Sequence, residues 1–550
     1  MTTATNTLKQ PTTLPDLFRE AVSKEALSEL RAYLAQQGPT ATVFLVLRVT
    51  EQASDNLRSV DPGSYWLYEQ LDTSFRARAK AVQAEWQSHV GADSPWRSLL
   101  EFRKMHVCGL RGPTSSLRRF FDSPFCCSVD SPIAGVVRPF PIRIPEQAID
   151  FQVFDGLDSA FLQQVESVDR LFRAIPMNDE VQFSERLLQL LDRPHVLAAL
   201  DFYQRVVRFI PWLRNSYLAN SVRQVLTQLG PNGCYLNELG IGDVHRYGES
   251  AGEGQKIILL DSGADESLPF LQQKVSDYIR LDGTSQFKKA HDCVDAACHG
   301  TKMATVIAGR SLKLRDIGLT DEYVGDLLFQ PLSDFGLEES IHVRPGIAPG
   351  AKLAIAEVLH GDVFMETGGA AELVAGLDWA AAQSMAGCQI LNMSIECDPA
   401  VVSRVDRRTI DGLIDLAKLY KIVPIVAAGN RGEESAPISE EAMVVGAARR
   451  DGTPFPNNGP IAHLLAPGEN ILCGQPRLLK LRNMLAAVHS GSSFATAVTS
   501  GCVALLAHRF SVPAFTAANA LLETSNGGML SLDKAAASLE GTEAETPVES

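Results

Sequence analysis

The chain lacks the features that mark exported, membrane-spanning and nucleic-acid-binding proteins. Its start has no basic stretch followed by an apolar core, so we expect no secretory signal. No apolar run approaches the ~20 residues that cross a bilayer. It also lacks an excess of basic residues: it has 50 Lys and Arg and 65 Asp and Glu, which give a formal net charge of -15. Proteins that bind nucleic acids or anionic membranes carry a basic surface, so we predict that this chain binds neither. With no export signal or membrane span, we predict a cytoplasmic protein.

Cysteine frameworks and metal-binding patterns are also missing. The 10 cysteines include no zinc-type pair separated by two residues, and without an export signal we expect reduced thiols. Several of them lie in apolar runs, where a thiol behaves as a small hydrophobe: Cys108, Cys126, Cys127, Cys388 and Cys473. No run of carboxylates marks a calcium site. We therefore predict no metal-ligating residues and no required cofactor.

The second half of the chain alternates between strand-like and helix-like patterns. A length of 550 residues with 45% hydrophobic residues predicts two to four globular domains. Between 238 and 538, helical patterns separate five apolar runs: Lys256 to Leu260, Lys352 to Leu359, Gln389 to Ile395, Ile422 to Ala427, and Ala442 to Ala447. This alternation predicts an α/β fold with a doubly wound, mostly parallel sheet and a site at the carboxyl ends of its strands.

Three short polar motifs fall at the edges of these predicted elements. The first apolar run ends in Asp261-Ser262-Gly263, and His299-Gly300-Thr301 opens a predicted helix. Gly491-Ser492-Ser493 is typical of a tight turn that feeds a buried helix. A serine there lies at the positive end of the helix dipole, where developing negative charge is stabilised. Taken alone, the serine could be a helix N-cap and the histidine a helix-cap residue.

Taken together, the three motifs resemble those of the subtilase family of serine peptidases. They occur in the order Asp, His, Ser, which is the chain order of subtilisin. The resemblance extends through Phe494 and Ala495, and it implies a subtilisin-like domain that hydrolyses peptide bonds in proteins or peptides. Many subtilases bind structural calcium, but no pattern indicates it here.

The resemblance assigns roles to individual residues. Ser493 is the expected nucleophile, His299 the base that takes its proton, and Asp261 the carboxylate that orients and stabilises the imidazole. Asn430, in a motif similar to the family's asparagine-bearing turn, is expected to donate to the oxyanion together with the Ser493 backbone N–H. Only the motif patterns distinguish these residues from their near neighbours: Ser490, Ser492, His291 and Asp265.

The motifs also depart from the family's pattern. Lys302 replaces a usual second histidine, Phe494 a methionine, and Ala497 a proline. These changes remove no catalytic atom but alter the packing behind the nucleophile. The alternative function is therefore a catalytically impaired scaffold that acts as a protein-binding module.

A substrate-binding strand is expected at Ser394, Ile395 and Glu396. The segment resembles the subtilase strand that pairs with the substrate backbone. Where the family often has glycines, this chain has Glu396 and Asp398. Two carboxylates at a pocket rim predict a preference for Arg or Lys immediately before the cleaved bond.

Residues 40–135 carry a strand, helix, strand, helix, strand pattern of their own. The predicted strands are Ala41 to Val49, Lys104 to Leu110 and Phe125 to Val129, with helices at 75–90 and 114–121. The order is similar to the small α+β inhibitory propeptide of subtilases. We expect a helical extension at 1–39, a helical linker or regulatory segment at 136–237, and a disordered acidic tail at 539–550.

These domains predict a latent intracellular zymogen. The final strand of the propeptide-like domain and the following Ser131 to Gly135 are expected to enter the active-site cleft as a substrate would. The linker would release them on proteolysis or on binding of an activating protein partner. The expected partners are therefore a protein or peptide substrate, the chain's own inhibitory domain and an activator.

Overall fold

The fold is known from a computed structural model. It describes residues 7–57, 61–145, 222–227, 229, 247–281, 287–289, 299–362, 365–475, 485–525 and 528–543. Most of the predicted helical linker, the expected start of the peptidase domain and His291 lie outside the described residues.

The N-terminal domain is a four-stranded antiparallel sheet covered on one face by helices. The strands, in the spatial order β2-β3-β1-β4, are β1 (Thr40–Leu47), β2 (Leu100–Phe102), β3 (Val107–Pro113) and β4 (Ile133–Val137). The helices are α1 (Lys24–Gln36), α2 (Glu51–Leu57), α3 (Tyr65–Val90), α4 (Thr114–Asp122) and α5 (Pro124–Cys127). Serine caps start the two longer helices, since Ser23 accepts from the Ala26 amide and Ser64 from the Leu67 amide.

Strand β1 shows how this sheet serves two cores. Successive side chains of a strand point to opposite faces. Val43 and Leu45 pack with the domain's own helices, in a cluster that includes Trp86. Phe44 and Val46 point the other way and join the core of the second domain. Both faces are apolar because both are covered.

The prediction of a strand at Phe125 to Val129 is wrong. Pro124 begins the short helix α5, at a position where its fixed φ and missing N–H suit a helix start. Phe125 packs against Phe120, with ring centroids 6.0 Å apart. The fourth strand is β4, all five of whose residues are buried. It pairs with β1, so Ile133 to Gly135 lie within the sheet and do not enter a cleft.

The second domain is built on an eight-stranded sheet, which confirms the predicted α/β, doubly wound class. The spatial order is β19-β18-β16-β14-β6-β11-β7-β8, parallel throughout except for the antiparallel pair β7-β8. Its strands are β6 (Lys256–Asp261), β7 (Val275–Leu281), β8 (Phe287–Lys289), β11 (Lys352–Glu357), β14 (Cys388–Met393), β16 (Val423–Ala427), β18 (Met443–Ala448) and β19 (Leu464–Pro467).

Helices cover both faces of this sheet. They are α6 (His299–Ala308), α7 (Asp321–Leu328), α8 (Ala370–Ser384), α9 (Arg404–Leu419), α10 (Ser492–Arg509), α11 (Ala514–Ser525) and α12 (Leu532–Glu543). Helices α6, α10, α11 and α12 share one core cluster, and α8 and α9 share the other with the N-terminal sheet. Helix α12 continues to Glu543, past the expected domain end at 538. The predicted tail therefore begins inside a helix.

Smaller sheets complete the domain. One is a five-stranded sheet in the order β12-β13-β5-β15-β17, and two are pairs, β9-β10 and β20-β21. Their strands are β5 (Pro141–Arg143), β9 (Leu312–Lys313), β10 (His342–Val343), β12 (His360–Asp362), β13 (Met365–Gly369), β15 (Glu396–Cys397), β17 (Ala436–Pro437), β20 (Ile471–Gly474) and β21 (Ala486–His489).

Among the described residues, no single helix has both the length and the apolar composition to cross a membrane. Helices α10 and α11 together pass that test of length and composition, but the pair is bent by 118° at the break between them.

Polar contacts join the N-terminal domain to helices α8 and α9. The carboxylate of Asp378 accepts the backbone N–H groups of Lys104 at 2.6 Å and Met105 at 3.1 Å. The Tyr420 hydroxyl donates to the Lys104 carbonyl at 2.9 Å. Arg138 forms an ion pair with Asp406 at 2.5 Å, and Asp406 is almost fully buried. These bonds orient one domain on the other, since the apolar contact alone is not directional.

Asp378→Ala should loosen this interface. Two backbone N–H groups would lose their acceptor, which we expect to lower the free energy of unfolding by about 2–3 kcal/mol. The melting temperature and the rate of limited proteolysis within residues 7–145 report the change. Asp378→Asn is the matched control, because it keeps an oxygen acceptor and should have a clearly smaller effect. Equal stability of the wild type and the alanine variant would show that these bonds do not hold the domains together.

Candidate active site

Asp261 ends strand β6 at the carboxyl edge of the large sheet. Its side chain has no exposed surface. Oδ1 accepts the backbone N–H of Ser262 at 2.8 Å and lies 2.8 Å from Nδ1 of His299. A buried carboxylate in these bonds holds the neighbouring imidazole in one orientation and stabilises its protonated form.

His299 is the first residue of helix α6. A Cβ at Gly300 would lie 2.0 Å from the Gly263 carbonyl oxygen, so only glycine allows this approach of helix and turn. The Gly300 N–H donates to Ser262 Oγ at 3.0 Å, which ties the two motifs together. With Nδ1 donating to Asp261, the neutral imidazole presents Nε2 as an acceptor. Nε2 is buried and makes no hydrogen bond with the described part of the chain.

Ser493 lies in the first turn of helix α10, which packs against α6. Gly491 precedes the helix with a φ of +143°, and a Cβ there would lie 2.8 Å from Nδ2 of Asn430. The Ser493 hydroxyl is buried and donates to the Ser394 carbonyl over 3.4 Å, a long contact. In this first turn the Ser492 N–H donates to Asn430 Oδ1, and the Phe494 and Ala495 N–H groups donate to the Gly491 carbonyl.

The neighbouring candidates have structural partners. Ser492 Oγ accepts from the Gly429 amide at 3.2 Å, and Ser490 Oγ accepts from the Asn470 amide at 2.9 Å. Asp265 Oδ1 accepts from the Ser267 hydroxyl at 2.5 Å. Among the described candidates, the geometry therefore brings together Asp261 and His299, with Ser493 on the adjoining helix.

Asn430 follows strand β16 in a turn that glycine makes possible. Gly429 has a φ of +97°, and a Cβ there would lie 2.3 Å from Cβ of Ser435. Oδ1 of Asn430 accepts the Ser492 N–H at 2.8 Å. This bond assigns the oxygen end of the amide, so Nδ2 is the end that can donate to an oxyanion.

Two of the departures from the family pattern, Phe494 and Lys302, lie near His489. Phe494 is fully buried and stacks on His489, with ring centroids 5.8 Å apart and an interplanar angle of 14°. Lys302 is 8% exposed. Burial, together with the charges of Lys302 and His299, holds the pKa of His489 well below its ordinary value. An aromatic pair thus packs behind the serine where the family has methionine, a link that the motif comparison did not reveal.

Ser394 connects the expected substrate strand to the serine. Its hydroxyl lies 3.0 Å from Asn392 Oδ1 and 3.1 Å from the Ser493 carbonyl oxygen, and these two acceptors share its one proton. Asn392 in turn donates to Ser500 Oγ at 2.9 Å, inside helix α10. These buried bonds hold the end of β14 against the start of α10, which leaves the Ser394 carbonyl beside the Ser493 hydroxyl.

Glu396 is a buried member of an ion cluster, whereas the sequence analysis placed it at a pocket rim. Its Oε1 accepts from Arg143 Nε at 3.0 Å and from Arg431 Nε at 3.2 Å, and Oε2 accepts from Ser435 Oγ at 2.8 Å. Burial raises the pKa of Glu396 to about 7, although the Ser435 bond and the Arg143 charge act to lower it. Sequence reasoning missed both arginines because neither belongs to a motif.

A segment of the chain itself lies along the expected substrate strand. Strand β5 pairs antiparallel with β15, Arg143 opposite Glu396 and Ile142 opposite Cys397. On its other side it pairs with β13, Ile142 opposite Gly368. The sequence analysis expected Ser131 to Gly135 in such a position. The segment that pairs there is β5, which begins at Pro141, six residues after Gly135.

Among the described residues, no group of three or more His, Cys, Asp or Glu side chains is placed to hold a metal ion.

Comparison with known proteins agrees with these motifs. The profile of the subtilase family matches residues 252–535, which include Asp261, His299, Asn430 and Ser493. Mycosin-1 of Mycobacterium tuberculosis is 27% identical over 319 residues, 50% of this chain and 63% of the relative. Subtilisin-like protease 1 of Trichophyton verrucosum is 26% identical over 241 residues, 42% of this chain and 48% of the relative.

The match to these curated relatives thus spans about half to three-fifths of their length. A solved structure of the prenylagaramide maturation protease PagA aligns with a TM-score of 0.39 and 21% identity, covering 54% of this chain and 99% of that one. Since the family profile spans more than half of the chain and contains all three polar motifs, the chain belongs to the subtilase family of serine peptidases.

Proposed function

We propose that the chain is a serine endopeptidase that works through Asp261, His299 and Ser493. The observation that carries this proposal is the buried 2.8 Å contact between Asp261 Oδ1 and His299 Nδ1, next to the helix that bears Ser493. His299 Nε2 removes the hydroxyl proton as Ser493 attacks the substrate carbonyl. It then delivers the proton to the leaving amine, and a water molecule hydrolyses the acyl-enzyme by the same route.

The oxyanion is stabilised by donors that need no rearrangement. Nδ2 of Asn430 and the backbone N–H of Ser493 are the proposed pair, and the bond from Ser492 to Oδ1 holds the asparagine in place. Such preorganised dipoles in a desolvated site are usually the largest single contribution to catalysis.

Latency is the second part of the proposal. Strand β5 takes the place of an added substrate strand, held by main-chain pairing on both sides. The domain that precedes it docks on α8 and α9. Because the inhibitor belongs to the same chain, its effective concentration is high and weak intrinsic binding suffices. Proteolysis or an activating partner protein would free the cleft for a protein or peptide substrate.

One contact favours the alternative function, a catalytically impaired scaffold that binds proteins. The Ser493 hydroxyl donates to the Ser394 carbonyl, and His299 Nε2 has no hydrogen-bond partner among the described residues. For catalysis the hydroxyl must rotate toward the imidazole. Catalytic hydrogen bonds often tighten only when substrate binds, so this contact is compatible with an enzyme.

Asn430→Ala should slow turnover strongly with little change in KM. In the related subtilisin, loss of the equivalent donor lowers kcat by about 10²–10³, and we expect the same range here. Asn430→Asp is the matched control for folding, since it keeps an acceptor for the Ser492 N–H but lacks the Nδ2 donor. Both variants should be slow in peptide hydrolysis after limited proteolysis of the chain. Wild-type turnover in either variant would remove Asn430 from the oxyanion site.

Arg138→Ala should raise peptide hydrolysis by the uncut chain. The substitution leaves the buried carboxylate of Asp406 without its ion pair and so weakens docking of the inhibitory domain. A loss of ~1.4 kcal/mol would raise the open fraction about tenfold. The control is Arg76→Ala, which removes an exposed pair with Asp72 within the same domain. Equal activity of the wild type, Arg138→Ala and the proteolysed enzyme would contradict latency and leave the peptidase assignment intact.

A further inference from the structure

The contacts of Arg143 are specific for its planar, forked side chain. Nε donates to Glu396 Oε1 at 3.0 Å, Nη2 lies 3.7 Å from Asp398 Oδ2, and Nη2 also points to the Glu434 carbonyl at 3.5 Å. The guanidinium therefore faces oxygens from three different residues. A lysine ammonium is a single point of charge on a flexible stem and does not span such a set.

The pocket keeps an unbalanced charge when Arg143 leaves. Glu396 then keeps Arg431 as its ion partner, and Asp398 loses its contact with a guanidinium, so the carboxylates outnumber the remaining cation. Glu396 has no exposed surface while Arg143 covers it. A buried carboxylate that loses a charged partner favours replacement of that partner by another cation.

The same carboxylate contacts the proposed oxyanion loop. Asn430 donates its backbone N–H to Glu396. The Ser435 hydroxyl donates to Glu396 Oε2 and accepts the backbone N–H of Arg431 at 2.9 Å. A guanidinium bound to Glu396 therefore acts on the turn that carries Asn430. Its effect should be seen in turnover as well as in substrate binding.

The strand register gives the position of the arginine in a substrate. Glu396 is opposite Arg143, so continued antiparallel pairing places Ile144 opposite Ile395 and Pro145 opposite Ser394. The Ser394 carbonyl contacts the Ser493 hydroxyl. A residue opposite Ser394 thus has its carbonyl at the nucleophile, and Arg143 lies two residues before it.

We infer that Glu396, Asp398 and the Glu434 carbonyl form an arginine subsite, which Arg143 fills in the closed chain and a substrate arginine fills in the open enzyme. The arginine is the third residue before the cleaved bond, two positions upstream of the one expected from the sequence. The inference rests on the proposed peptidase function. The proposed substrates are peptides with arginine at that third position. Arg143 competes with the substrate arginine for the Glu396 carboxylate.

The charge of the subsite depends on pH. Burial raises the pKa of the Glu396 carboxyl to about 7, and the charged groups that face it are Arg143, Arg431 and, at the edge, Asp398 and Glu434. A carboxyl with a raised pKa is neutral below that value and ionised above it. The preference for arginine should therefore increase as the pH rises.

Paired peptides test the inference in the Arg143→Ala chain after limited proteolysis, which frees the cleft, while the substitution removes the competing arginine. Two peptides differ only at the third residue before the cleaved bond, where one has arginine and the other its neutral isostere citrulline. We expect kcat/KM to favour arginine by about 30-fold or more, with part of the effect in kcat. In Arg143→Ala/Glu396→Gln the ratio should fall to within about threefold of unity. In Arg143→Ala/Asp398→Asn the ratio should fall by less than about threefold, because the lost carboxylate is partly exposed and lies 3.7 Å from Nη2 of Arg143 in the wild-type chain.

A binding measurement separates this inference from the peptidase assignment. Methylguanidinium should raise the melting temperature of Arg143→Ala more than methylammonium does, and it should have no such effect on Arg143→Ala/Glu396→Gln. Absence of hydrolysis with this selective stabilisation would count against the enzyme and keep the arginine subsite. Hydrolysis with equal rates for arginine and citrulline, or with selectivity only for the residue next to the cleaved bond, would overturn the subsite.

Discussion

Close approach of the backbone to neighbouring atoms, which only glycine permits, is the constraint on which the site depends. Gly300 brings the start of α6 against the Gly263 carbonyl, and Gly491 brings the start of α10 against Asn430. These contacts place His299 beside Asp261, and they bring the helix start that carries Ser493 against Asn430. Electrostatic interactions are stronger between buried groups than in solution, so the packing that builds the core also strengthens the interaction of His299 with Asp261.

The N-terminal domain uses a different physical principle. Its sheet is apolar on both faces, and the second face shares one core with α8 and α9. Polar contacts through Asp378 and Asp406 then orient the domain, and the chain leaves β4 toward the five-stranded sheet. Under the proposed latency, docking of this domain and occupation of the cleft are coupled, and a change that loosens the interface should also weaken the hold on β5.

The sequence was most informative where pattern and chemistry coincided. Strand runs such as Lys256–Asp261 are buried on both faces and read as continuous apolar stretches, so the parallel sheet could be predicted. Phe125 to Val129 has equally apolar residues, but Pro124 starts a helix there. Strand β5 has only three residues and begins with proline, so no periodicity identifies it. Strand β5 is instead placed by pairing with β13 and with β15, which contains Glu396. Both partner strands lie more than 200 positions away in the sequence.

The proposed mechanism makes Ser493 an activated nucleophile that the chain's own strand covers until proteolysis. A fluorophosphonate probe, which reacts covalently with such serines, measures both parts when its adduct is followed by intact mass and located by peptide mapping. The account predicts slow labelling of the uncut chain, fast labelling at Ser493 after limited proteolysis, no labelling of Ser493→Ala and normal labelling of Ser490→Ala. A folded chain that remains unlabelled before and after proteolysis, or that reacts at Ser490, would contradict it.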